Sequence, residues 1–117
     1  MSDEAAGKPL VDIGAFGALD LRTGQIRSVE RHPNADRLLV MQIDVGEAAP
    51  RQIVAGLAPY YADPQVLVGR TVVVVANLAP ATLRGVASQG MILAAGGKQH
   101  RGVLTVVGEC PPGEVVR

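Results

Sequence analysis

Thr71-Val72-Val73-Val74-Val75-Ala76 constrains the fold of this chain more than any other stretch. β-branched side chains are stiff and pack well on a pleated surface, so the run reads as a strand. Successive strand side chains point to opposite faces, and here both faces are apolar. A sheet carrying such a strand must be covered on both sides. One face can fill the inside of a closed barrel. The other needs either a later segment of the chain, after Ala95, or a second copy of the protein.

The rest of the sequence suits a small barrel. With 117 residues the chain is long enough for one domain. Hydrophobic residues make up 48% and charged residues 19%, which places it among globular proteins. Phe16, Tyr60 and Tyr61 are the only aromatic residues besides histidine, so the core is built from Val, Leu, Ile and Ala. Residues 1–15 mix small, charged and Gly/Pro residues without period and read as a flexible N-terminal arm; residues 16–117 form the domain.

From Leu19 to Arg31 the alternation of polar and apolar residues is broken at Gly24, which predicts a bulge or bend in a long first strand. His32-Pro33-Asn34-Ala35-Asp36 is a turn. Leu39, Met41, Ile43 and Val45 alternate with Val40, Gln42 and Asp44, predicting a half-buried strand. A third, short strand follows over Gln52–Ala55. Asp63 before Pro64, with Gly69 beyond, punctuates a short helix. Thr71–Ala76 is the fourth strand, Gly90–Ala95 the fifth, and Val103–Val107 an extra one before the Pro111-Pro112-Gly113 turn. Three strands, a short helix and two more strands give the element order of an all-β OB-fold, a five-stranded Greek-key barrel. An SH3-like barrel is the alternative, but it lacks the helix between strands three and four.

In an OB-fold the loops after strands one and four flank the ligand face. The Pro33–Arg37 turn lies on the first and Ala79–Gln89 on the second, so two unusual segments converge on one surface. Taken one at a time, each residue there also has a structural explanation. Asn34 tolerates left-handed turns, Arg37 can be a solvated side chain, Ser88 can bind its own backbone, and Met91 can fill the barrel. Core packing alone, however, gives no reason for Ser88-Gln89-Gly90 to precede Met91, and the group reads as a contact surface.

Five segments together resemble one family: Asp20–Gly24, His32–Leu38, Arg51–Val54, Val72–Leu78 and Ser88–Met91. The family is the structure-specific tRNA-binding domain, found free-standing in bacteria and as the C-terminal domain of methionyl-tRNA synthetases. The resemblance covers about Phe16 to Arg117. It implies an OB-fold homodimer that binds tRNA by shape, alone or as an appendage in trans to an aminoacyl-tRNA synthetase, methionyl in type. Its tRNA contacts would fall on Asn34, Arg37, Ser88 and Met91, with Gln89, Arg84 and His32 in support. The chain departs from the family at Arg37, where Lys is usual; charge is kept, but a planar fork replaces a point charge. A dimeric export chaperone holding extended polypeptide in the same groove is the reading from another functional class, and a plain dimerisation module is a third.

Charge and composition bound the function further. The formal net charge is zero, which argues against a bulk electrostatic nucleic-acid binder. Residues 1–15 carry −2, however, leaving +2 on the domain, and nine of the 11 cations are Arg. Scarce aromatics disfavour a single-strand reader, which stacks bases on rings, and favour a folded, mostly paired RNA. His32 and His100 have no metal-spaced partners, and no nucleophilic triad or phosphate-binding glycine loop is present, so neither enzyme activity, metal nor cofactor is expected. Cys110 is the only cysteine, and no leader or membrane-spanning run is recognised, so a cytoplasmic protein without a membrane partner is expected.

Overall fold

The computed structural model describes residues 7–117. Its main sheet is antiparallel and curls into a nearly closed five-stranded barrel of the OB type, built from β1 (Leu21–Arg31), β2 (Leu39–Asp44), β3 (Arg51–Ala55), β4 (Thr71–Val75) and the short β7 (Met91–Ile92). The strand order is β3-β2-β1-β4-β7. Between β4 and β7 the chain forms a hairpin of β5 (Ala81–Leu83) and β6 (Val86–Ser88). After β7, a small ladder pairs β8 (Ala94–Ala95) with β9 (Gly102–Val103), and β10 (Val115–Val116) ends the chain.

Alternation in β2 appears as expected. Leu39, Met41 and Ile43 are fully buried and Val45 continues the row, while Val40, Gln42 and Asp44 are half-exposed. They meet Ile26, Ile53, Val72, Val74 and Ile92 inside the barrel. Between β3 and β4 the short helix expected from Asp63 to Gly69 is a 3-10 turn, Pro64–Leu67, and a second such turn, Ala58–Tyr60, precedes it. Asp63 caps the Pro64–Leu67 turn, its carboxylate accepting from the Gln65 amide at 3.2 Å, and Leu67 is buried against the barrel core.

Gly24 makes no bulge. β1 keeps register with β4 from Leu21 to Gln25, and the irregularity falls between Ile26 and Ser28 in the pairing with β2. Glycine is required for another reason: a Cβ at position 24 would lie 2.7 Å from Ile43 Cγ2 and 3.1 Å from Val74 Cγ2. The parity break simply reflects burial on both faces of β1. Gly24 and Ile26 look into the barrel, whereas Leu21 packs outside it with Val73 and Val75.

That outer cluster answers the question posed by the two-sided fourth strand. Leu93 and Val116 pack over Leu21, Val73 and Val75. β10 runs along the edge of β1 at Leu21 and Arg22 that β2 leaves open. The Thr23 hydroxyl locks the approach, donating to the Pro111 carbonyl at 2.9 Å and accepting from the Glu114 amide at 2.9 Å. The extra strand expected over Val103–Val107 is shorter, Gly102–Val103, and pairs with β8 rather than covering β4. The fifth strand expected over Gly90–Ala95 is split into β7 and β8. Of the expected N-terminal arm, residues 1–6 lie outside the described residues. Ile13–Gly17 forms a short helix, α1, capped by Asp12 and exposed along its length.

Candidate nucleic-acid interface

The segment Ser88-Gln89-Gly90 closes the barrel. β3 has β2 on one edge, and its other edge would leave amides unpaired inside a curled sheet. Ser88, only 4% exposed, supplies one partner: its Oγ accepts the Val54 amide hydrogen at 3.0 Å and donates to the Gly90 carbonyl at 3.1 Å. Gln89 supplies the next. Its amide donates to the Gln52 carbonyl at 2.8 Å, and its Oε1 accepts from the Gln52 amide at 3.1 Å. The Gln52 side chain returns the contact, donating to the Ala87 carbonyl at 2.8 Å. Gly90 passes so close to β4 that a Cβ would stand 3.0 Å from the Val75 carbonyl oxygen, and its φ of +145° suits glycine. Of the expected contact group, Ser88 is the member that lies below the surface. Its hydroxyl is buried and fully engaged, as a substitute for a backbone partner.

Arg51 reinforces the same seam. Its guanidinium donates to both carboxylate oxygens of Glu47, at 2.7 and 2.8 Å, and to the carbonyls of Ala76, at 2.6 Å, and Gln89, at 3.1 Å. The hydrogen bond from Arg51 holds the Glu47 carboxyl below its ordinary range. So occupied, Arg51 is a structural cation. Sequence reasoning gave it no role, because its carbonyl partners lie 25 and 38 residues away.

Two loops meet at one end of the barrel through His32, which is 5% exposed. Nδ1 of its ring accepts the Asn34 amide hydrogen at 2.9 Å, so the proton of the neutral ring sits on Nε2 and donates to the Leu83 carbonyl at 2.9 Å. Leu83 precedes the hairpin tip, where Arg84 and Gly85 both take positive φ, 51° and 86°. That is the pattern of a two-residue hairpin turn. One buried imidazole thus fixes the β1–β2 loop against the β5–β6 hairpin. The side chains left exposed on the two loops include Asn34, Arg37 and Arg84, and neither arginine is in a salt bridge among the described residues.

Met91 stands beyond the base of the hairpin, opposite Val75, and is 45% exposed. It is a surface side chain, which removes the alternative of a barrel filler. Gln89 is exposed but engaged with β3. The predicted set therefore divides: Asn34, Arg37, Arg84 and Met91 are open to a ligand, while His32, Ser88 and Gln89 hold the segments that carry them. Among the described residues no three His, Cys, Asp or Glu side chains group to hold a metal, and no helix is long and apolar enough to cross a membrane.

This arrangement is that of an OB barrel with two loops joined over one end, where OB-folds carry their ligand face, and with guanidiniums on the rim. Residues 21–115 match the family described as "Putative tRNA binding domain", and the chain belongs to that family. It is 55% identical over 85 residues to the methionine–tRNA ligase of Thermococcus kodakarensis, a match covering 73% of this chain and 11% of the ligase. Against the ligase of Thermotoga maritima the covered share is 96% of this chain and 18% of the relative, so the chain spans only a small part of such enzymes. Among solved structures, the MetRS-related protein from Pyrococcus horikoshii superposes with a TM-score of 0.84 at 28% identity, covering 94% of this chain and all of that one. The chaperone CsaA of Bacillus anthracis superposes with a TM-score of 0.81 at 26% identity, covering 93% of this chain and all of that one.

Proposed function

We propose that this chain is a non-catalytic tRNA-binding protein that acts as a homodimer and recognises folded tRNA by shape. It works free-standing or in trans with an aminoacyl-tRNA synthetase, methionyl in type, whose local tRNA supply it raises by avidity. The observation that carries this reading is the His32 bridge. It holds the loop bearing Asn34 and Arg37 and the hairpin bearing Arg84 in one fixed arrangement, and membership of the tRNA-binding family supports it. Prepositioned cations suit a rigid, folded polyanion better than a flexible strand. Asn34, Arg37 and Met91 are the contacts, with Arg84 beside them, and His32, Ser88 and Gln89 position them. Such work belongs in the cytoplasm, where tRNA is charged.

Self-association is supported by the other end of the molecule. An apolar cavity of about 510 Å³ is lined by Ile13, Phe16, Leu19, Leu21, Val115 and Val116. Ile13, Leu19 and Val115 beside it are 82%, 48% and 58% exposed, an apolar surface that a second copy would bury. A specific dimer would cover ~1,200 Å² or more in total. Sedimentation equilibrium at micromolar concentration should give twice the 12.1 kDa chain mass; a monomer throughout would refute this part.

The likeness to CsaA favours a second reading, in which the same surface holds extended polypeptide. A gel-shift titration with bulk tRNA, competed by an unstructured RNA and by an unfolded polypeptide, separates the two. The tRNA reading expects the RNA complex to survive both competitors, whereas displacement by polypeptide would favour the chaperone.

A further inference from the structure

Tyr60, Tyr61 and His100 are brought together from 40 residues apart into a single ring cluster. The Tyr60 and His100 rings stack at 4.8 Å with planes 17° apart. Tyr61 meets His100 edge-on at 5.3 Å and shares a hydrogen bond between its hydroxyl and His100 Nε2 at 2.7 Å. Burial pushes the Tyr61 phenol above its ordinary range, in keeping with its place beneath the others. Tyr60 is the outer ring, 44% exposed, while Tyr61 and His100 are half-buried.

The position of this cluster gives it meaning. Tyr60 lies midway between two attachments to the β1–β2 loop region. The Ala58 amide donates to the Arg37 carbonyl at 3.3 Å, and Arg31 Nη2 donates to the Ala62 carbonyl at 3.2 Å. From the other side, the β8–β9 turn that delivers His100 also carries exposed Lys98 and Arg101. An exposed tyrosine, backed by an imidazole, thus sits on a segment tied to the Arg37 backbone and to the Arg31 guanidinium, and its imidazole comes from a turn that carries two exposed cations. A chain with so few aromatics gathers its two tyrosines here.

We propose that the Tyr60–His100 stack is a base-stacking platform. It would receive one unpaired base of an RNA whose backbone is held by the loop cations. One platform suits a single protruding base on a folded RNA, whereas a single-strand track would need a row of rings. The inference rests on the tRNA-binding reading and extends its contact surface past Arg37 to the β8–β9 turn.

The chain contains no tryptophan, so Tyr60→Trp places a lone fluorophore on the platform while keeping a stacking ring. On titration with bulk tRNA, its emission should be quenched along the same curve as the gel shift. Tyr60→Ala should weaken tRNA binding about fivefold to a hundredfold, the range for loss of a stacked base, and Tyr60→Trp should bind as the wild type does. Arg37→Ala should raise the tRNA concentration needed without abolishing the quenching at saturation. Unchanged affinity in Tyr60→Ala, or unchanged emission of Tyr60→Trp at saturating tRNA, would overturn the platform while leaving tRNA binding by the loops intact. So would an affinity loss in Tyr60→Ala that only tracks a fall in melting temperature. Quenching by unfolded polypeptide in place of tRNA would reassign the surface to protein. Failure of the wild-type protein to bind tRNA at all would overturn both readings together.

Discussion

The hydroxyl of Ser88 stands where a strand carbonyl would otherwise face the amide of Val54, 3.0 Å away, across the seam of the barrel. The relationship makes Ser88 part of the fold. It also explains why a hydroxyl, an amide and a glycine follow one another there: each solves a different problem of closing β3 against the end of the hairpin.

Ser88→Ala should therefore destabilise the protein, because it leaves the buried Val54 amide without a partner. The expected loss is about 1–3 kcal/mol, read from urea unfolding. Affinity for tRNA, measured where the variant is folded, should fall less than in Arg37→Ala. A Ser88→Ala variant as stable as the wild type but defective in binding would make Ser88 a direct contact instead.

Met91→Ala should behave in the opposite way. The side chain is 45% exposed, so truncation should change stability by no more than about 0.5 kcal/mol. Loss of its apolar contact with RNA should weaken binding several-fold, about 1 kcal/mol. A large fall in melting temperature with unchanged intrinsic affinity would place Met91 among the core residues.

His32→Ala removes both bonds that join the two loops. We expect a stability loss of about 1–3 kcal/mol and faster hydrogen exchange at the amides of Val86 and Ser88. The affinity for tRNA should also weaken, although the ring is buried and touches no ligand. Exchange as slow as in the wild type would show that the hairpin does not depend on this bridge.

Several of these roles were legible in the sequence and others were not, for physical reasons. Period-two burial marked Leu39–Val45, and Asp63-Pro64 with Gly69 marked the turn that delivers Leu67, because both signals are local. The exposed position of Asn34 and Arg37 followed from placing a turn after the first strand, whereas their reading as contacts came from the family resemblance. The closure role of Ser88 could not be read, because its partner, Val54, is 34 residues away and nothing local announces it. Gly24 was visible as an anomaly, but its cause is Ile43 on the neighbouring strand, while the true irregularity beside Arg27 has no punctuation at all. The β5–β6 hairpin escaped because Arg84-Gly85 is a weaker turn signal than Asn-Gly. Tyr60-Tyr61 offered a hint, as the only tyrosines of the chain, but the stack on His100 exists only in three dimensions.

Acid should loosen the barrel through two carboxylates. The Arg27 hydrogen bond first, and the Gly46 amide second, hold Asp44 below its ordinary value; Arg51 does the same for Glu47. Groups depressed in the folded state contribute their stability above the unfolded-state value and lose it as pH falls through the folded one. Stability should thus be level from neutrality to about pH 5 and decline below about pH 4.5. Both pairs are partly exposed and screened, so the decline is modest, and Glu47→Gln should flatten it. A profile rising toward pH 3 would contradict the sign.

Recognition of folded RNA is tested most directly by comparing tRNA with oligo-uridylate of equal length in filter-binding titrations at matched salt. The account predicts tighter binding of tRNA, weakening linearly in log–log form as salt is raised. Equal or tighter binding of the oligo-uridylate would contradict it, and would make the domain a single-strand reader.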